Sequence, residues 1–315
     1  MLPRYQIVPC LRSRMSRRQL LRSALAGAGG LATLALAGCD EDGGGARPTA
    51  TLAPTALPSG AFDSSGVPIH YEVIGEGKPI VLVHGFSTSF QVNWVATGWV
   101  EELRPLRQVI GLDARGHGES GKPHEPEPYA GDEMANDVVR LLDHLGIEKA
   151  DLFGYSMGAS ISLRLLASHS ERFTSVIMGG IGDFARRVPG SAPGNFGAMI
   201  ADALLTDDPS SIENPTAAGF RALAEALGND MEALAAYMLA DREGVSDDEL
   251  AGVDLPVLIV NGAEDTLAGS ADSLAAAIPG AEFVTIPERD HLTVVSDPQF
   301  KETVVRFLKE QNGAS

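Results

Sequence analysis

Three side chains in this sequence could cut an acyl bond if the fold brought them together. Ser156 stands between Gly154 and Gly158, Asp265 follows in Asn261-Gly262-Ala263-Glu264-Asp265, and His291 comes last, after Arg289 and Asp290. A serine hydroxyl is a weak nucleophile until a base takes its proton, and the base needs an acid to orient it. Serine, histidine and aspartate supply all three parts. A serine between two glycines is weak evidence taken alone, because both residues are common in turns. Its meaning depends on the elements around it.

Those elements begin as short apolar runs. Six of them, at 79–85, 108–113, 150–156, 174–180, 256–262 and 281–287, are continuous and rich in β-branched residues. Such runs predict parallel strands covered on both faces. Between the second and third runs, Met134, Val138, Leu141, Leu142 and Leu145 share one helical face, with Asp132 and Glu133 at its start and Gly146 at its end. The alternation predicts an α/β fold with a mostly parallel, doubly covered sheet. Sheets of this kind bind ligands at the carboxyl ends of their strands. Ser156, Asp265 and His291 each follow a strand run on that edge. Ser156 also precedes a helix-like segment, so it would sit on a sharp strand-to-helix turn whose flanking glycines remove clashing side chains. The first N–H groups of that helix would face a developing oxyanion.

Further motifs stand in the same order. His84-Gly85-Phe86 follows the first parallel run, "DARGHGES" (113–120) follows the second, and "GYSMGA", "GAED" and the late His291 complete the set. With these five in sequence the chain resembles the α/β-hydrolase superfamily over about residues 62–310. The resemblance implies Ser156 as nucleophile, His291 as base and Asp265 as orienting acid. It also implies an oxyanion hole made by the backbone N–H groups of Phe86 and Met157. Asp183 is the alternative acid, since some relatives carry it after the preceding strand. Asp290 departs from the pattern, because relatives commonly have a small residue before the histidine. It either raises the imidazole's basicity or points to solvent. His84 and His117 read as structural, and His70, His124, His144 and His169 as surface or helix residues. A serine at position 156 separates the chain from relatives that attack haloalkanes or epoxides with an aspartate. The chemistry implied is hydrolysis of a small-molecule carboxylic ester through an acyl-enzyme. Lactone hydrolysis, carbon–carbon cleavage and peracid formation are open on the same residues, and a catalytically silent binding protein is the alternative from another class. No metal cluster or nucleotide-binding glycine pattern is present in the sequence, and the chemistry requires no metal or cofactor.

About 70 residues without a strand pattern separate Gly180 from Pro256, too many for an ordinary connection. Residues 184–251 are therefore expected to form a helical cap, over a core of 61–183 and 252–315. Ahead of the core, Arg17 and Arg18 lead into a short stretch rich in Ala and Gly, a layout that resembles a twin-arginine export signal over 1–38. Leu36-Ala37-Gly38-Cys39 resembles a bacterial lipobox, with Cys39 as the lipidated residue, and the rival is plain cleavage after Ala35-Leu36-Ala37. Residues 39–60, rich in Pro, Thr, Ala and Gly, read as a flexible tether. The expectation is an exported lipoprotein facing the periplasm, anchored to the membrane by its lipid alone; a soluble periplasmic or secreted protein is the alternative. The formal charge is −18, and without the six arginines of 1–38 it is 18 basic against 42 acidic residues, or −24. A body so acidic repels phosphate backbones, which argues against nucleic-acid partners. Cys10 and Cys39 are the only cysteines, and both precede the core, so no disulfide framework is expected.

Overall fold

The computed structural model describes residues 59–186 and 195–313. The expected export signal, Cys39, the expected tether as far as Pro58 and residues 187–194 of the expected cap lie outside them. One eight-stranded sheet organises the rest: β1 (Gly60–Ser64), β2 (Val67–Ile74), β3 (Pro79–Val83), β4 (Gln108–Leu112), β5 (Ala150–Tyr155), β6 (Phe173–Gly179), β7 (Val257–Gly262) and β8 (Glu282–Ile286). The spatial order is β1-β2-β4-β3-β5-β6-β7-β8. β1, β2 and β4 pair antiparallel, and every pair from β4 to β8 is parallel.

The six apolar runs correspond to β3–β8. The β1–β2 hairpin was not anticipated from the sequence, and β1 begins at Gly60, one residue inside the stretch read as tether. Its turn residues, Ser65 and Gly66, both take positive φ, at 55° and 83°. That is the two-residue turn whose twist matches paired strands.

Alternate side chains of the parallel strands feed two cores. Val81, Val83, Leu152, Val176 and Ile259 face one layer, packed with α2 (Glu133–His144) and α3 (Met157–Ser168). Ile80, Leu82, Phe153, Ile177 and Leu258 face the other, against α1 (Trp99–Leu103) and α10 (Pro298–Gly313), whose Trp99, Phe300 and Val304 are buried there. Burial on both faces is why these strands are apolar throughout rather than alternating. Helix α2 buries Met134, Val138, Leu141 and Leu142, with Gly146 at φ 66° just past its end.

Between β6 and β7 the described residues contain helices and no strand: α4 (Asp183–Arg186), α5 (Phe196–Leu205), α6 (Pro215–Ala226), α7 (Met231–Leu239) and α8 (Asp247–Leu250). Side-chain caps start three of them. Asn214 accepts from the N–H groups of Thr216 and Ala217, Asp230 from Ala233, and Ser246 from Glu249. A further helix, α9 (Ala271–Ala277), links β7 to β8. Among the described residues no helix is long and apolar enough to cross a membrane.

Candidate active site

Ser156 sits on the turn from β5 into α3, with φ 53° and ψ −111°, a conformation rare for any residue but glycine. Its neighbours make the turn possible. A Cβ on Gly154 would lie 2.2 Å from the carbonyl oxygen of Gly158, and one on Gly158 would lie 2.0 Å from that of Val83. Only bare backbone allows α3 to approach β5 and β3 so closely. The Ser156 N–H donates to the Gly179 carbonyl at 2.8 Å, which keeps the turn in register with β6.

His291, on the loop after β8, places Nε2 2.8 Å from Ser156 Oγ, and its Nδ1 lies 2.7 Å from Asp265 Oδ2. An ionised carboxylate can only accept, so Nδ1 carries the imidazole proton and Nε2 is left to accept from the serine hydroxyl. Asp265 follows β7, and its other oxygen accepts from the N–H groups of Leu267 at 3.0 Å and Ala268 at 3.2 Å. One carboxylate oxygen thus faces His291 while N–H groups of its own loop fix the other. The structure therefore brings together Ser156, Asp265 and His291.

It places Asp183 elsewhere. That carboxylate opens α4, where it accepts from Ser273 Oγ at 2.6 Å and lies 3.4 Å from Arg186 Nη1. Asp290 accepts from the N–H groups of Leu292 and Thr293 and from the Thr293 hydroxyl, at 2.7–3.0 Å. The Thr293 hydrogen bonds hold its carboxyl below the usual range. Asp290 thus caps the turn that carries His291.

The N–H groups of Phe86 and Met157 donate to no partner among the described residues. Met157 is the first residue of α3, where backbone donors are free by construction. Phe86 lies in the loop after β3, fixed by its neighbours. His84 Nδ1 donates to the Gly85 carbonyl at 2.8 Å while its Nε2 accepts from Ala114 N–H at 3.0 Å. Burial lowers the His84 pKa, in keeping with this neutral, structural role. Asp113 ties the two motif loops together by accepting from the N–H groups of Phe90 and Glu119, each at 2.8 Å. His117 is enclosed against Phe86 and His84, and burial holds its pKa down at about 3.

The remaining histidines are occupied elsewhere. His144 stacks on Phe62, His169 bonds Ser168, His70 lies beside Asp113, and His124 bridges Asp230 and Glu232. Tyr155 was missed by sequence reasoning. It is buried, donates its hydroxyl to the His291 carbonyl, and is kept protonated by burial. The only signal was its place beside Ser156.

Ser156 and His291 open into a cavity of about 990 Å³. The core contributes Phe86 and Met157 to its wall, and the helices between β6 and β7 contribute Phe196, Phe220 and Tyr237. Two arginines also line it. Arg164 is paired with Asp132 and Glu249, and Arg242 lies over the Tyr237 ring, 4.1 Å from its centroid.

Residues 78–240 match the model of a family described as the alpha/beta hydrolase fold. The chain belongs to that family. A dihydrolipoyllysine-residue acetyltransferase component of an acetoin cleaving system from Pseudomonas putida is 30% identical over 256 residues, covering 76% of this chain and 66% of that relative. The 3-oxoadipate enol-lactonase 2 of Acinetobacter baylyi is 29% identical over 267 residues, 78% of this chain and 95% of that one. A 2-hydroxymuconate semialdehyde hydrolase of a Pseudomonas species is 29% identical over 272 residues, 80% of this chain and 94% of that one. Among solved structures, an N-acyl homoserine lactone degrading enzyme superposes with a TM-score of 0.62 at 30% identity, over 79% of this chain and 100% of its own. The enol-lactonase of Burkholderia xenovorans superposes with a TM-score of 0.60 at 28% identity, with the same coverage.

Proposed function

We propose that this chain is a serine hydrolase that cleaves small, uncharged carboxylic esters. The carrying observation is the hydrogen-bond chain from Asp265 through His291 to Ser156, ending at a strained serine that faces a cavity. In the reaction, Ser156 Oγ gives its proton to His291 Nε2 and attacks the acyl carbon. The carbonyl oxygen becomes an oxyanion between the N–H groups of Phe86 and Met157, while Asp265 stabilises the imidazolium. The intermediate collapses, and the alcohol leaves with the proton returned by His291. Water, deprotonated by His291, then attacks the acyl-enzyme, and the acid departs from a restored serine.

Residues 184–251 act as the cap in this reading, since the helices described there supply one wall of the cavity. A volume near 990 Å³ accommodates a small ester with its alcohol. The acidic body, −24 without residues 1–38, disfavours anionic substrates. A fluorophosphonate probe tests the nucleophile: it should label the wild type and leave Ser156→Ala unlabelled. Chromogenic esters of graded chain length test the substrate, with hydrolysis expected to be fastest for short acyl groups. Preference for emulsified long-chain triglycerides would overturn the substrate assignment.

A second reading is lactone hydrolysis, favoured by the enol-lactonase and lactone-degrading relatives that match nearly end to end. Ring opening uses the same acyl-enzyme, and lactones belong in the substrate screen beside the esters. For location, we propose export by the twin-arginine route and attachment by a lipid on Cys39, with the hydrolase facing the periplasm.

A further inference from the structure

We propose that the helices between β6 and β7 hold the oxyanion donor in place, with Asn229 and Tyr237 as positioning residues for the Phe86 N–H. The inference rests on the acyl-transfer reading above.

The loop carrying Phe86 is fixed from two directions. On the core side, the Gly85 carbonyl accepts from Thr88 Oγ1 at 2.7 Å, His84 Nδ1 at 2.8 Å and Thr88 N–H at 3.3 Å. Gly85 N–H donates to Asn93 Oδ1 at 2.9 Å. A trans peptide is planar, so anchoring the Gly85 carbonyl aims the Phe86 N–H the opposite way. This holds one edge of the donor.

The far edge depends on the helices. Ser87, buried, takes φ 59°, in the left-handed region that a serine occupies only when its surroundings demand it. Its carbonyl accepts from Asn229 Nδ2 at 2.9 Å, the single hydrogen bond to that oxygen among the described residues. Asn229 lies in the turn between α6 and α7. The ring of Phe86 is held from the same direction. Tyr237 of α7 stacks on it at 5.4 Å and 28°, and Phe220 of α6 meets its edge at 5.6 Å. Tyr237 is braced in turn by Arg242, whose Nη1 donates to the Tyr237 carbonyl at 2.6 Å. One helical hairpin therefore grips both the side chain of Phe86 and the Ser87 carbonyl, two peptide planes beyond the Phe86 N–H. A shift of that hairpin would rotate the Phe86 N–H away from the oxyanion. Asn229 is not in the cavity wall, so its effect cannot come from touching substrate.

The test uses the full chain and four variants: Asn229→Ala, Asn229→Asp, Tyr237→Leu and Tyr237→Phe. Turnover of p-nitrophenyl acetate is measured together with inhibition by a trifluoromethyl ketone, which forms a tetrahedral oxyanion on the serine. Asn229→Ala and Asn229→Asp should each lower kcat by about tenfold to a hundredfold, the range expected when an oxyanion donor is misplaced. KM should stay within about threefold, and the inhibitor should weaken in parallel with kcat/KM. Asn229→Asp keeps the side chain's shape but replaces the donor with a carboxylate oxygen that repels the Ser87 carbonyl, and Asn229→Ala removes the donor without adding charge. Tyr237→Leu should show the same loss, and Tyr237→Phe, which keeps the ring, should restore kcat. Folded Asn229 variants with kcat within twofold of wild type would overturn the inference. If the aspartate variant does not fold, the alanine variant decides on the same terms. Ser156→Ala is measured alongside: if it retains turnover, the acyl-transfer reading fails. If it is inactive while the Asn229 variants match wild type, only the positioning role fails.

Discussion

Tyr155 donates its phenolic hydrogen to the main-chain carbonyl of His291, across 136 positions of sequence. The residue beside the proposed nucleophile thus anchors the loop that carries the proposed base. Gly180, at φ 63°, leaves room for this arrangement: a Cβ there would lie 3.0 Å from His291 Cε1. Tyr155→Phe should leave the buried carbonyl without its donor, at a cost of about 1–3 kcal/mol in stability. It should also lower kcat about tenfold by loosening the imidazole. Denaturant unfolding and steady-state kinetics check both, and an unchanged kcat would show that the loop holds its geometry without this bond.

Ser156→Ala and His291→Ala should each remove most turnover, by several orders of magnitude, while the far-UV circular dichroism stays that of the wild type. Residues acting as one unit lose their joint effect when either is removed, so the double variant should be little worse than either single one. Near-wild-type hydrolysis by a purified single variant would sink the mechanism.

Asp265→Asn should preserve shape but offer Nδ1 an amide in place of a carboxylate. The imidazole would then favour the wrong tautomer, with a loss of orders of magnitude in kcat. Asp183→Asn should change kcat by less than about threefold, because its partners are Ser273 and Arg186 rather than His291. The reverse pattern would move the acid to Asp183.

The doubly covered strands were legible because burial on both faces writes a nearly unbroken apolar run, as in β3–β7, whereas the edge strand β8 is only half-buried and carries Glu282 and an exposed Thr285 among its apolar residues. The β1–β2 hairpin is buried on alternate positions, as Val67, Ile69 and Tyr71 show, and writes a weaker period-two signal. Ser65-Gly66 between two such stretches was the available clue. Ser156, Asp265 and His291 could be grouped because each follows a strand on one sheet edge, so topology alone makes them neighbours. Tyr155 and Asn229 could not be found in this way. Each acts on a main-chain carbonyl distant in sequence, and residue type says nothing about which carbonyl that is. Asp290 was ambiguous for a related reason: whether a carboxylate faces an imidazole or caps its own turn is decided by local backbone geometry.

His117 makes stability depend on pH. Its folded pKa is held down at about 3 by burial, against about 6.5 for an exposed histidine. Its Nε2 has no hydrogen-bond partner among the described residues, as suits a neutral ring. Between those values the unfolded chain binds a proton that the folded chain refuses. The stabilisation is therefore complete above pH ~6.5 and lost as pH falls toward 3, at roughly 1.4 kcal/mol per pH unit for each such histidine. His84, also lowered by burial, adds in the same direction. Urea unfolding of the wild type between pH 4 and 8 should show this loss. His117→Gln should be less stable at pH 8 but flatter with pH by about one proton, and an unchanged slope would place the uptake elsewhere.

The proposed address is tested by fractionation. Arg17 and Arg18 ahead of a weakly apolar stretch fit export in the folded state, and Leu36 to Cys39 fit lipid attachment. Asp40 directly after the cysteine resembles the inner-membrane retention pattern of lipoproteins in bacteria with two membranes. Two acyl chains give stable anchoring where one is marginal, so a diacylated Cys39 should hold the protein through washes that strip peripheral proteins. The wild type is expected with the membranes and released by detergent. Cys39→Ala should be soluble or remain as unprocessed precursor, and lysines in place of Arg17 and Arg18 should block export. Hydrolase activity should survive in the Cys39→Ala protein, because the proposed site lies wholly within the folded body. A wild-type chain found entirely soluble in the cytosol would refute the address and leave the assignments of Ser156, His291 and Asp265 untouched.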